Sequence, residues 1–143
     1  MGKPRLAVLV ALLAVAGCGD AGGGEEGDCT EIGCLPASAQ VQLSGLPATP
    51  AVVELCADDK CTTVRGTRSR LSRVAIGLPR SAVDRVRIRV RIRSGGKVIA
   101  DDEASIPVDS IRPNGPDCPP ICRFVRSRMD LATNRLEHDP SPL

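Results

Sequence analysis

Between Arg85 and Arg93 apolar and charged residues alternate without a break: Val86, Ile88, Val90 and Ile92 are interleaved with Arg85, Arg87, Arg89, Arg91 and Arg93. A period of two sends the two sets to opposite faces of a β-strand, one to a core and one to water. Shorter stretches repeat the pattern. Val41 and Leu43 alternate with Gln40, Gln42 and Ser44 before Gly45-Leu46-Pro47, and Ala51 to Cys56 and Cys61 to Val64 flank the polar turn Ala57-Asp58-Asp59-Lys60. Arg65 to Arg70 reads as loop, Val74 to Ile76 as a strand closed by Gly77-Leu78-Pro79, Val98 to Val108 as the return of the Arg85 strand, and Arg123 to Leu131 as the last strand. Ile111 to Pro120 is too rich in Pro and Gly for anything but loop. No long stretch has helical periodicity. About seven short strands predict an all-β fold: a small antiparallel sandwich of immunoglobulin-like or fibronectin-type architecture over residues 37–136, with a disordered tail at 137–143.

The arginine strand sets a register problem. Same-face side chains lie ~7 Å apart, inside the ~8 Å Debye length, so five guanidiniums in a row repel unless acids answer them. A two-residue Gly95-Gly96 turn would set Ile88 opposite Glu103 and Val90 opposite Asp101, burying both acids. A three-residue Ser94-Gly95-Gly96 turn sets Arg89 opposite Asp101 and Arg87 opposite Glu103, and is the predicted one. Arg87, Arg89, Arg91 and Arg93 are then the candidate anion-binding residues, joined by Arg126 and Arg128 of the last strand. The bland alternative is a solvated face laced by weak ion pairs.

The one long apolar run, Leu6 to Ala16, follows Lys3 and Arg5 and is too short for a membrane-spanning helix of ~20 residues. It ends in Val15-Ala16-Gly17-Cys18. This segment resembles the signal peptide and lipobox of bacterial lipoproteins. The resemblance implies cleavage after residue 17, a diacylglyceryl group on Cys18, and residence on the extracytoplasmic face of the cell membrane, held by acyl chains each contributing ~0.8 kcal/mol per buried methylene. The whole chain is similar to small cysteine-containing lipoproteins of high-GC Gram-positive bacteria. Residues 18–36 are then an anchored tether, whose part from Gly19 to Asp28 has five glycines and no large apolar side chain.

Composition narrows what the domain can be. Phe124 is the only aromatic residue among 143, so aliphatic side chains must fill the core. Roughly 110 residues beyond the signal form one small domain, for which cross-links matter. Of the seven cysteines, six remain once Cys18 is set aside: Cys29, Cys34, Cys56, Cys61, Cys118 and Cys122. In an exported chain they form a disulfide framework. Strand alternation brings all six to one end of the sandwich. Cys56 with Cys61 is the clearest pair, and for the rest crossed pairs between the amino-terminal segment and the last loop are favoured over local ones. Without Lys3 and Arg5 the chain is electrically balanced, but Asp20, Glu25, Glu26, Asp28 and Glu31 precede a domain that is basic by about five charges, nearly all Arg.

Catalytic constellations are scarce. His138, the only histidine, falls in the expected tail, where nothing would hold a general base in place. No phosphate loop or nucleophile elbow occurs, and Cys-x-x-Cys spacing for zinc or redox chemistry is missing. The expectation is a non-enzymatic, cofactor-free binding or structural module of the cell envelope. Its partners would be the membrane through the lipid anchor and an envelope protein or anionic wall polymer, not nucleic acid. The alternative is an accessory subunit docked on a membrane transporter or enzyme complex.

Overall fold

The structure, a computed structural model, describes residues 32–141. Its elements are β1 (Ser38–Ser44), β2 (Ala51–Ala57), β3 (Lys60–Gly66), a single helical turn α1 (Arg68–Leu71), β4 (Arg73–Gly77), β5 (Arg85–Ser94), β6 (Lys97–Pro107), β7 (Asp109–Ile111), β8 (Cys122–Asp130) and β9 (Arg135–His138). They form two sheets. The first runs β4-β1-β8, with β7 and β9 along successive halves of the outer edge of β8, and the second runs β3-β2-β5-β6. The all-β sandwich is therefore as expected. All pairings are antiparallel except β1 with β8, which run parallel.

Alternation explains which residues meet between the sheets. Val41 and Leu43 of β1 and Val125 and Met129 of β8 face Val53 and Leu55 of β2 and Val86, Ile88, Val90 and Ile92 of β5, all buried. Each large side chain contributes roughly 1.5–3 kcal/mol relative to leaving it exposed, and aliphatic packing stands in for the missing aromatics. Leu71 of α1 is fully buried too and plugs one edge of the core, while Arg65 to Arg70, expected as loop, is shared between the end of β3 and this helical turn.

The β5–β6 hairpin departs from expectation. Ser94 pairs with Lys97, so the turn is the two-residue Gly95-Gly96, with both φ positive, at 56° and 78°, as the favoured mirror-image turn requires. The parity error is corrected further along. Ile92 pairs with Ala100 and Arg93 with Val98, leaving Ile99 as an extra residue in a β-bulge. Asp101 and Glu103 thus face outward, opposite Arg91 and Arg89. Any such register sends Asp102 inward, and there its Oδ2 accepts the Leu136 backbone N–H at 2.7 Å, tying the β6 edge to β9 of the other sheet.

The domain is also larger at both ends than the alternation indicated. Glu137 and His138, expected in a disordered tail, lie in β9, and the Asp139 N–H donates to the Arg126 carbonyl at 3.0 Å. β8 offers a free edge, and these residues complete it. At the other end, Ile32 to Pro36, expected as tether, are tied to the domain. Asn114 Oδ1 accepts the Ile32 N–H at 3.0 Å, Asn114 Nδ2 donates to the Ile32 and Pro119 carbonyls, and Cys34 is bonded to Cys122. The stretch from Ile111 to Pro120, expected wholly as loop, begins with the last residue of β7.

Candidate functional site

The expected arginine ladder forms the outer face of the second sheet. Arg85 to Arg93 point away from the core, while Val86 to Ile92 point into it. The pairing register completes the face: Arg65 of β3 and Arg93 flank Val52, Thr63 and Arg91 flank Glu54, and Cys61 and Arg89 flank Cys56. Six arginines (Arg65, Arg85, Arg87, Arg89, Arg91 and Arg93) face four acids, Glu54, Asp58, Asp101 and Glu103, a surplus of two positive charges.

The pairing is uneven. Asp101 takes two arginines at once: Arg89 forks onto both carboxylate oxygens at 3.1 Å, and Arg91 Nε and Nη2 reach Oδ2 at 2.9 Å. The Arg89 hydrogen bonds hold the Asp101 carboxyl below its ordinary value of 3.8, opposed by partial desolvation and helped by Arg91. Asp101 in turn raises the Arg89 guanidinium. Arg87 makes a looser pair with Glu103 at 3.7 Å, and Arg85 Nε donates to Ser105 Oγ at 2.9 Å. The expected Arg89–Asp101 and Arg87–Glu103 pairs thus exist, reached diagonally rather than across the ladder. An open depression of about 510 Å³ lies between Arg85, Arg87, Asp58 and Ser105. Arg93 and Arg65 are both exposed, and among the described residues neither has an ion pair or side-chain hydrogen bond.

Arg126 and Arg128 do not join this face. β8 lies in the first sheet, so their side chains emerge on the opposite side of the sandwich. Arg126 lies 5.2 Å over the Phe124 ring with its Nε buried and unpartnered, and Arg128 pairs with Glu137 at 3.5 Å. The alternation of β8 fixed which of its residues turn outward, but not which sheet it would enter.

The five described cysteines of the expected six gather at one end. Cys56 and Cys61 are directly opposed on β2 and β3 and bonded. Ala57 and Lys60 are already in the strands, so the turn is Asp58-Asp59 alone. Lys60 Nζ approaches Gly77, and Gly77 pairs with Ser38, four residues after Cys34. The Cys34–Cys122 bond is a crossed pair closing a separation of 88 residues, and Cys118 is disulfide-bonded as well. Disulfide formation removes Cys56 and Cys61 from any zinc site. Cys18, expected to be lipidated, and Cys29, expected in a disulfide, lie outside the described residues.

His138 is placed differently from expectation. Its Nε2 lies 3.1 Å from Asp109 Oδ2, both side chains about a quarter exposed at 28%. A carboxylate can orient an imidazole for proton transfer, but that needs a nucleophile or substrate proton within reach. Among the described residues Asp109 is the only hydrogen-bonding partner of the ring, and the pair clasps β7 to β9 along the edge of β8. Among the described residues, no three His, Cys, Asp or Glu side chains gather as metal ligands, and no helix is long and apolar enough to cross a membrane.

Sequence reasoning missed four contributors. Glu54 and Arg65 needed the β2 registers, whereas Asn114 and Asp102 act on backbone 82 and 34 residues away. No local signal marks such contacts. No family model matches the chain, and no curated protein or solved structure is significantly similar to it.

Proposed function

We propose that this chain is a cell-envelope lipoprotein, anchored through Cys18 on the outer side of the membrane, whose sandwich serves as a non-catalytic binding module for an anionic polymer of the envelope. The anchor rests on Val15-Ala16-Gly17-Cys18 behind a short apolar run. The binding half rests on one observation: Arg65 and Arg93 stand unpaired on either side of Val52, on a face with surplus positive charge. This row is next to the Gly95-Gly96 turn, at the opposite end of the sandwich from Cys34 and Ile32. An anchor at Cys18 would put it on the side facing away from the membrane, which favours a polymer over lipid headgroups. Guanidinium groups suit that ligand because they bind phosphate or carboxylate through two parallel N–H donors.

The test is association of the purified protein with anionic wall polymer at low and physiological salt. Arg65→Gln with Arg93→Gln should weaken low-salt binding by roughly thirtyfold, at about 1 kcal/mol per guanidinium near an anionic surface. Arg89→Gln should weaken it less, because Arg89 already answers Asp101. Association that ignores both salt and these substitutions would leave the face as a solvated ion-pair lattice with no ligand.

A further inference from the structure

Five of the seven large apolar side chains exposed on the described surface lie at one end: Ile32 (54% exposed), Leu35 (88%), Val83 (58%), Ile111 (41%) and Ile121 (49%). The other two, Val98 and Ile99, follow the Gly95-Gly96 turn at the far end. Four of the five border two hollows that share Leu35. Leu35 and Ile121, next to the Cys34–Cys122 bond, border one hollow of about 400 Å³ with Ala82, the neighbour of Val83. Ile32, Leu35 and Ile111 border a second of about 290 Å³ that runs up to Phe124. Isolated exposed apolar residues are ordinary, whereas a contiguous patch marks a contact surface.

We infer that this end of the domain rests against the bilayer, its apolar side chains seated at the boundary between headgroups and acyl chains, as a second membrane contact beside the lipid anchor. The inference rests on the lipoprotein reading. Residues 19–31 contain no Val, Leu, Ile, Met or Phe, so the chain leading to the patch has no large apolar side chain to cover it. Fourteen peptide units separate Cys18 from Ile32, and a Gly-rich coil of that length spans ~20 Å root-mean-square. The patch is therefore confined close to the surface in which the acyl chains would sit. At such effective concentrations a contact too weak to bind from solution is occupied when tethered. Charge does not drive it. Lys60, Arg80, Arg112 and Arg123 at this end are matched by Asp59, Asp84, Asp109 and Asp117, so the contact is apolar and indifferent to salt. Held this way, the module has a fixed orientation, with the Arg65–Arg93 row outward.

The chain has no Trp and no Tyr, which makes the test clean. Full-length lipidated protein carrying Leu35→Trp or Val98→Trp is reconstituted into phosphatidylcholine vesicles containing lipid brominated near the top of the acyl chain. Both positions are exposed, and the same side chain at both cancels the affinity of indole itself for the interface. Leu35→Trp should lose about half of its emission and shift to the blue at low and high salt alike, since indole seats at headgroup depth. Val98→Trp should be unaffected. Equal emission from the two variants, on protein that floats with the vesicles, overturns the inference and leaves the anchor standing. Protein that does not float with them overturns both.

Discussion

The β5–β6 face and the end around Cys34 are stabilised in opposite ways. On the face, every charged side chain is set by strand register, and the ion pairs are partly solvated, as with Asp101 at 32% exposure between Arg89 and Arg91. Pairs of that kind contribute a fraction of a kcal/mol each. At the Cys34 end, contacts reach across more than eighty residues, through the Cys34–Cys122 bond and the Asn114 bridge to Ile32. The face is organised by strand register, whereas the other end, the mount, is joined by bonds between distant segments.

Removing the Cys34–Cys122 bond with paired alanines should break this contrast most severely, provided both double variants are made with Cys29 and Cys118 also changed to alanine so that no second bond closes the same loop. In the chain-entropy picture a loop of 88 residues is worth about 4–5 kcal/mol, whereas the five-residue separation of Cys56 and Cys61 gives only about 2 kcal/mol. Urea denaturation of the two double variants should reproduce that order. Equal losses would mean that the mount derives its order from packing rather than from the long-range bond. Next in size, Asn114→Ala removes its bonds to Ile32 and Pro119 and should cost about 1–2 kcal/mol. Hydrogen exchange should show the loss concentrated at residues 32–36 and 113–120, with β5 unchanged.

The face should respond least. Asp101→Asn should cost under about 1 kcal/mol at neutral pH. Its signature is the pH dependence. The folded carboxyl is held below its unfolded value, so its stabilisation is complete above about pH 4 and disappears as pH falls through the folded value. Asp101→Asn should therefore narrow the stability gap to the parent protein as pH falls below about 4. A gap that stays constant across that range would show that the Arg89 fork has no energetic consequence.

The same contrast governs what could be read from the amino-acid order. Alternation along β5 identified Val86, Ile88, Val90 and Ile92 as core and the arginines as outward, because a strand with one wet face has no other arrangement. It failed on the hairpin turn, since a three-residue loop and a two-residue loop plus a bulge at Ile99 give Asp101 and Glu103 the same outward facing. It also missed β7 and β9. Both are short strands that exist because β8 has an edge to fill, and no periodicity of three or four residues announces that. The cysteine positions gave the end at which they gather and favoured crossed pairing, but Asn114 carries no mark of its distant partners. The candidate site divides similarly: the β5 ladder was legible, whereas the partnerless state of Arg65 and Arg93 depended on the order of β3, β2 and β5.

Anchor, mount and face meet in the fate of the cysteines, and one measurement reads them together: peptide mass mapping, without reduction, of the protein extracted from its own membrane. If Cys18 is committed to a thioether with diacylglycerol, six cysteines remain for three disulfides, and with Cys34 bound to Cys122 and Cys56 to Cys61, Cys29 is left for Cys118. The expected map is a mature chain beginning at an acylated Cys18 with those three bonds. A mature chain beginning elsewhere, with Cys18 unmodified or bonded to Cys118, would contradict the account.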